Sequence, residues 1–232
     1  MKKIIKHLKK NWYRYTLEIF VVIIGILIAF SLNNWNEGRK IKKTADTYKE
    51  KLINDLASDT IQINKFITNG LKMQKAIEAY FEYFDTEDVP LNDLLLKASN
   101  VPANFVNYFP INHTFRDMQQ SGNITLLTEE QRKELMELSN SQEFMAIILE
   151  NTMEDIKMHI HERNMLLDFD LSNSDFHART SWVRDTDSKR RGLLYQHNVL
   201  TGFYHQLKST NYRANIIKEL TKKCLTLLNK NE

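Results

Sequence analysis

Asp155, His159 and Glu162 carry the most metal-like pattern in the chain, within Met153-Glu-Asp-Ile-Lys-Met-His-Ile-His-Glu-Arg163. Positions i, i+4 and i+7 share one face of a helix, so these three side chains could converge on a divalent cation. The spacing is not that of a His-Glu-x-x-His zinc helix, and the Glu-x-x-His pairs of di-iron bundles are missing here. The competing reading is a solvated helix face. A second cluster, Asp168-x-Asp170-x-Ser172-x-Ser174, imitates the alternating ligands of a calcium loop. It has Asn173 where the loop needs glycine and Arg179 where the closing glutamate belongs, so a polar helix end is the better account. Cys224 lies among Leu220, Leu227 and Leu228 and reads as a structural thiol. As the only cysteine it forms no internal disulfide. Neither a Gly-x-Ser-x-Gly elbow, a phosphate loop nor a dinucleotide fingerprint occurs. No cofactor and no catalytic residue are assigned, and no enzymatic activity is expected.

These residues sit on elements that the composition makes helical. Six glycines and three prolines in 232 residues leave few tight turns, which argues against an all-β chain. A 3–4 spacing runs through Leu52, Leu56, Asp59, Ile63, Phe66, Gly70, Met73, Ile77, Tyr80 and Phe84, widened by Ile53, Ile67, Leu71 and Phe81. It predicts one long amphipathic helix over Lys49–Phe84, with Asp59 and Gly70 as poor core residues on its seam. All three prolines (Pro90, Pro102, Pro110) fall in one irregular stretch, with a short helix around Leu91–Ala98 and with Tyr108 and Phe109 tucked under it. A second short helix, His113–Ser121, is closed by Gly122. Thr128-Glu-Glu-Gln131 is a capping box that opens a long helix reaching about Asp168. Two closing helices are predicted, about Lys189–Leu207 and Tyr212–Leu228, the last capped by Thr210 or Asn211.

The charge is unevenly spread. Lys2, Lys3, Lys6, Lys9, Lys10 and Arg14 against Glu18 leave the first 35 residues at +5, and the rest of the +3 chain at −2. A nucleic-acid partner would need a basic face on the main body, so none is expected. The basic run leads into Ile19–Leu32, which has no charged side chain. Fourteen residues are short for a bilayer core of about 30 Å, but Trp12, Tyr13, Tyr15 and Trp35 flank them as an interfacial belt. Trp12 to Trp35 spans about 36 Å as a helix. The competing reading is a cleaved signal peptide with Ala29-Phe30-Ser31 at the scissile site; bulky Phe30 and Trp35 favour an uncleaved anchor. Six basic residues before the span against Arg39, Lys40, Lys42 and Lys43 after it place the N-terminus in the cytoplasm. Gly25-x-x-x-Ala29 would let two anchors pack closely.

The segment from Glu18 to Glu37 resembles the N-terminal anchor of an uncharacterised family of Gram-negative bacterial single-pass membrane proteins. Glu18-Ile19 opens that anchor, Gly25-Ile-Leu-Ile-Ala29 lies inside it, and Asn33-Asn-Trp-Asn-Glu37 ends it. Thr114–Gly122 with Ile124–Leu127 is similar to a second stretch of the family. The resemblance implies an uncleaved inner-membrane anchor and a periplasmic helical domain, and it brings no catalytic residue.

The expected fold is all-α: one N-terminal transmembrane helix followed by an antiparallel helical bundle with a long first helix. Residues 1–14 form a basic cytoplasmic tail, 15–35 the anchor (Trp12, Tyr15, Glu18, Gly25, Ala29 and Trp35 meeting the bilayer or a second anchor), and 36–232 an extracytoplasmic domain. The expected partners are the lipid bilayer, a membrane or periplasmic protein, and a second copy through the anchor or the long helix. The expected function is a protein-interaction or sensory-type module. The alternatives are an enzyme on the Asp155/His159/Glu162 face and a structural spacer or assembly scaffold.

Overall fold

The computed structural model describes residues 12–105, 107–167 and 185–230, and the described residues are helical with no strand. The elements are α1 (Trp12–Phe84), α2 (Leu91–Ser99), α3 (His113–Ser121), a 3-10 turn (Asn123–Leu126), α4 (Glu129–Leu167) and α5 (Thr186–Asn229). Two compact units meet between Glu50 and Lys51, inside α1. The fold is an all-α helical bundle with a long first helix, as expected.

In the first unit, every large apolar side chain described from Leu17 to Leu32 is 41–66% exposed. The helix that carries them is long and apolar enough to cross a membrane. At its far edge the Asn33 amide donates to Glu37 Oε1 (3.2 Å), and the Arg39 guanidinium stacks 5.0 Å from the Trp35 ring.

The second unit is built on the predicted seam. Leu52, Leu56, Asp59, Ile63, Phe66, Gly70, Met73, Ile77 and Tyr80 are all buried, while Leu71, expected beside them, is exposed. Glu134 bonds Lys223, Gln206 reaches the Leu149 carbonyl and Arg163 bonds Gln196, so α4 and α5 run antiparallel. Gly70 meets Asn211 and Tyr80 meets His197, so the second part of α1 is antiparallel to α5. It is parallel to α4, since Leu52 shares a packed site with Leu135 while Asp59 bonds Gln142. A parallel pair needs a connection that returns along its whole length. Residues 85–128 are that connection.

Its punctuation follows local chemistry. α3 stops at Gly122, whose φ of +76° is the left-handed conformation that glycine adopts without strain. The capping box forms as expected: Gln131 N–H donates to Thr128 Oγ1 (3.2 Å) and Thr128 N–H to Gln131 Oε1 (3.1 Å). The closing region differs from expectation, because α5 is one continuous helix. The Thr210 hydroxyl donates back to the Gln206 carbonyl (2.7 Å) and Asn211 is buried against Gly70, so neither caps a new helix. The real cap is Asp185, which accepts from Ser188 N–H (2.8 Å). Phe109 also departs from expectation: it is 71% exposed, whereas Tyr108 is buried. Successive residues of an extended segment point to opposite sides, so only one of the two can tuck inward.

Candidate functional site

The returning connection has no helical structure at residues 101–105 and 107–112, so donors such as the Ile111 N–H need acceptors from elsewhere. Asp59, fully buried on the α1 seam, supplies them. Its carboxylate accepts from the Tyr108 hydroxyl (2.8 Å to Oδ2), the Ile111 N–H (2.9 Å) and the Gln142 amide (3.0 Å). Gln142 Oε1 in turn accepts from Asn112 Nδ2 (3.2 Å). One turn earlier, Asp55 accepts from Thr114 N–H (2.9 Å). Asn112, the residue in the cap position of α3, forms no side-chain cap, so a carboxylate of α1 performs that task for α3.

Burial pushes the Asp59 carboxyl above its ordinary value, against the pull of the Ile111, Tyr108 and Gln142 hydrogen bonds; Asp55 adds a small push in the same direction. The Tyr108 phenol is driven upward by burial and then by the adjacent carboxylate. The neighbouring cavity, between Leu52, Asp55, Ile111, Asn112 and Gln142, measures about 10 Å³. That is room for about one water. The cluster is therefore a clamp that holds chain to chain and leaves no place for a substrate. Asp59 stood out in the sequence as a misfit on an apolar seam. Tyr108 and Gln142, 49 and 83 residues further on, gave no such signal.

Two further polar contacts close the α4/α5 seam. Arg163 is buried and donates to Gln196 Oε1 (2.6 Å), and Gln196 reaches the Ala98 carbonyl of α2 (3.2 Å). Burial lowers the Arg163 guanidinium to about 10. Lys223 meets the buried Glu134 at 2.7 Å. The Cys224 thiol, beside them in the core, is pushed up to about 12, by burial first and by Glu134 second. This fits the structural role read from sequence.

The three metal-like residues are only partly brought together. Asp155 and His159 line an open groove of about 480 Å³ between α4 and α5, and His205 faces them from α5. Glu162 does not line that groove. His159 Nδ1 is buried without a hydrogen-bond partner. Among the described residues, no group of three or more His, Cys, Asp or Glu side chains is placed to hold a metal ion. The calcium-like stretch Asp168–Ser174 lies outside the described residues, as do the first eleven residues of the basic tail and the Tyr15 side chain. Trp12, Glu18, Ala29 and Trp35 are exposed on α1, and a Cβ on Gly25 would meet nothing within 4 Å.

No curated protein and no solved structure matches the chain. A family match runs from Glu18, at the start of the apolar segment, through the clamp residues to Asp170 beyond α4, which is more than half of the sequence. The chain belongs to that family, the family of unknown function DUF6090.

Proposed function

We propose that this chain is a single-pass inner-membrane protein, held by an uncleaved anchor around Leu17–Leu32, whose helical domain binds a protein partner on the extracytoplasmic side. The observation that carries the reading is the exposure of about a dozen large apolar side chains on one short stretch of helix. Leaving them in water would cost on the order of 10–20 kcal/mol, which a bilayer removes. The six basic residues ahead of the span, against four behind it, favour a cytoplasmic N-terminus. The helical domain spends its most buried carboxylate on internal hydrogen bonds, a pattern that serves a rigid binding scaffold.

The test is a fusion of a reporter enzyme, active only outside the cytoplasm, after Glu232, combined with alkaline extraction of membranes. Reporter activity in a carbonate-resistant fraction is expected. A cytoplasm-only signal, or release by carbonate, overturns the reading. A second reading, an enzyme working in the Asp155–His159–His205 groove, is favoured by the buried and unpartnered His159 Nδ1. It requires the biological activity of the gene to be lost on His159→Ala while the protein stays folded and in the membrane.

A further inference from the structure

Where α1 runs beside the returning connection, both carry charge of one sign. From Thr60 to Ile77 the helix has Lys65, Lys72 and Lys75 and no acid; from Leu94 to Asn112 the connection has Lys97 and no acid. The acids that border this stretch of α1 are engaged elsewhere, Asp59 in the clamp and Glu78 with the Gln74 amide (3.0 Å). Between helix and connection lies a groove of about 780 Å³. That is within the range of about 300–1,000 Å³ usual for small-molecule sites.

Lys65 and Lys72 line the groove from α1, about 10 Å apart along the helix, with Gln62 and Asn69 beside them. Asn104 and Asn107 line it from the connection. Among the described residues no acid lines it, neither lysine has an ion-pair partner, and none of the four amides has a hydrogen-bond partner. The wall that carries the two asparagines is fixed at two points. Phe105 packs against Phe203 of α5 (5.1 Å between ring centroids), and Tyr108 is held by Asp59 and by the Phe66 ring (6.2 Å). Asn104 and Asn107 each precede one of these anchored residues, so their places are set before a ligand arrives.

Unpaired cations with no acid among them select an anion. Amides offer a donor and an acceptor together, as hydroxyl groups do, so the two match. Peptide docking draws its affinity from apolar anchors in open pockets. Here Phe66 and Met73 are buried, and the exposed lining is mostly amide and ammonium, which favours a small hydroxylated ligand over a peptide. We propose that this groove binds a small hydroxylated anion of the class of acidic sugars and sugar phosphates, its acid group on Lys65 or Lys72 and its hydroxyls on the four amides. The proposal goes beyond the protein-partner reading above and does not depend on it.

Isothermal titration calorimetry of the purified full chain in an uncharged detergent tests it. The probes are digalacturonate and fructose bisphosphate, with cellobiose and tetraglutamate as comparisons. At least one anionic sugar should bind with a Kd below about 1 mM, and cellobiose at least about tenfold more weakly. Lys65→Gln and Lys72→Gln should each weaken binding about threefold, the size of an exposed ion pair, and Asn104→Ala and Asn107→Ala by about as much. Lys75→Gln, the same change on the same helix outside the groove, should leave binding unchanged. All five residues are exposed, and circular dichroism verifies the fold of each variant. Failure of both anionic sugars to bind, equal binding of cellobiose, or a Lys75→Gln effect as large as that of Lys65→Gln overturns the proposal. Asparagine variants that bind like the wild type, or tetraglutamate binding more tightly than either sugar, overturn the hydroxylated ligand.

Discussion

Removing the Asp59 carboxylate should separate the returning connection from α1, and its size can be worked out from the contacts. Asp59→Ala leaves the Ile111 N–H and the Tyr108 hydroxyl without their acceptor and the Gln142 amide with only the Tyr108 oxygen (3.3 Å), beside a cavity that admits about one water. At roughly 1–3 kcal/mol for each of these two orphaned buried donors, the loss is about 2–6 kcal/mol, a large share of the stability of a domain this size. Asp59→Asn keeps the shape and one acceptor oxygen and removes a buried charge, so its loss should be smaller, about 1–2 kcal/mol. Tyr108→Phe removes one donor and belongs in the same range.

The pH dependence has a definite sign. Burial raises the carboxyl in the folded state, so the contribution of Asp59 is fully present below the unfolded value of 3.8 and is lost as pH rises through the folded value. Wild type should therefore gain on Asp59→Asn as the solution is acidified from neutrality towards pH 4. Urea unfolding of the full chain in mild detergent, followed by circular dichroism, gives the stabilities. Amide exchange at Ile111 and Thr114 reports the clamp directly. An Asp59→Ala variant within 1 kcal/mol of wild type, or an Asn-to-wild-type gap that narrows on acidification, would refute this account.

Three other perturbations probe separate parts of the bundle. On Gly70 a Cβ would stand 2.7 Å from Asn211 Oδ1, so Gly70→Ala should lose about 1–3 kcal/mol by urea unfolding. Adding Asn211→Ala should recover most of that loss, and additive losses would count against direct contact. The Cys224 thiol, buried and shifted up to about 12, should resist iodoacetamide at pH 8 in the native chain and react promptly in urea; equal rates in both would place it at the surface. His197 sits among the rings of Tyr80, Phe81 and Phe84, at 5.9, 5.2 and 4.4 Å. Burial depresses its pKa in spite of Asp85, so its contribution holds above about pH 6.5 and fades as pH falls through the folded value. Measured against His197→Phe, the melting temperature of the wild type should fall between pH 7 and 5, and an unchanged difference would refute this.

What the sequence discloses here is what repeats locally. The seam from Leu52 to Tyr80, the capping box at Thr128 and the glycine stop at Gly122 each depend on neighbours within a few residues, and each appears as read. Features fixed by distant partners were not legible. Thr210 and Asn211 have the side chains of a helix cap, but the hydroxyl of one is satisfied four residues back and the other faces α1, so α5 continues through them. Asp155 and His159 share a helix face as their spacing requires, yet the residue facing them is His205, fifty positions away, and not Glu162. The direction of α1 relative to α4 was invisible for the same reason, since no periodicity in either helix records which neighbour it packs against.

That direction explains why an aspartate stands where the seam calls for leucine. A leucine at 59 would bury more apolar surface, but the parallel α1/α4 pair forces residues 85–128 to run back along α1, and the non-helical residues 107–112 present the Ile111 N–H to α1. Carboxylates projecting from α1 replace the missing carbonyls: Asp59 for Ile111, and Asp55, one turn away, for the start of α3. Apolar contacts alone would tolerate a connection shifted by a residue or two. Three hydrogen bonds converging on one carboxylate do not, so the burial cost that raises the Asp59 pKa also sets the register of the connection. A group committed in this way is unavailable for chemistry, and the surfaces left open to partners are the exposed apolar stretch of α1 and the outer sides of α4 and α5.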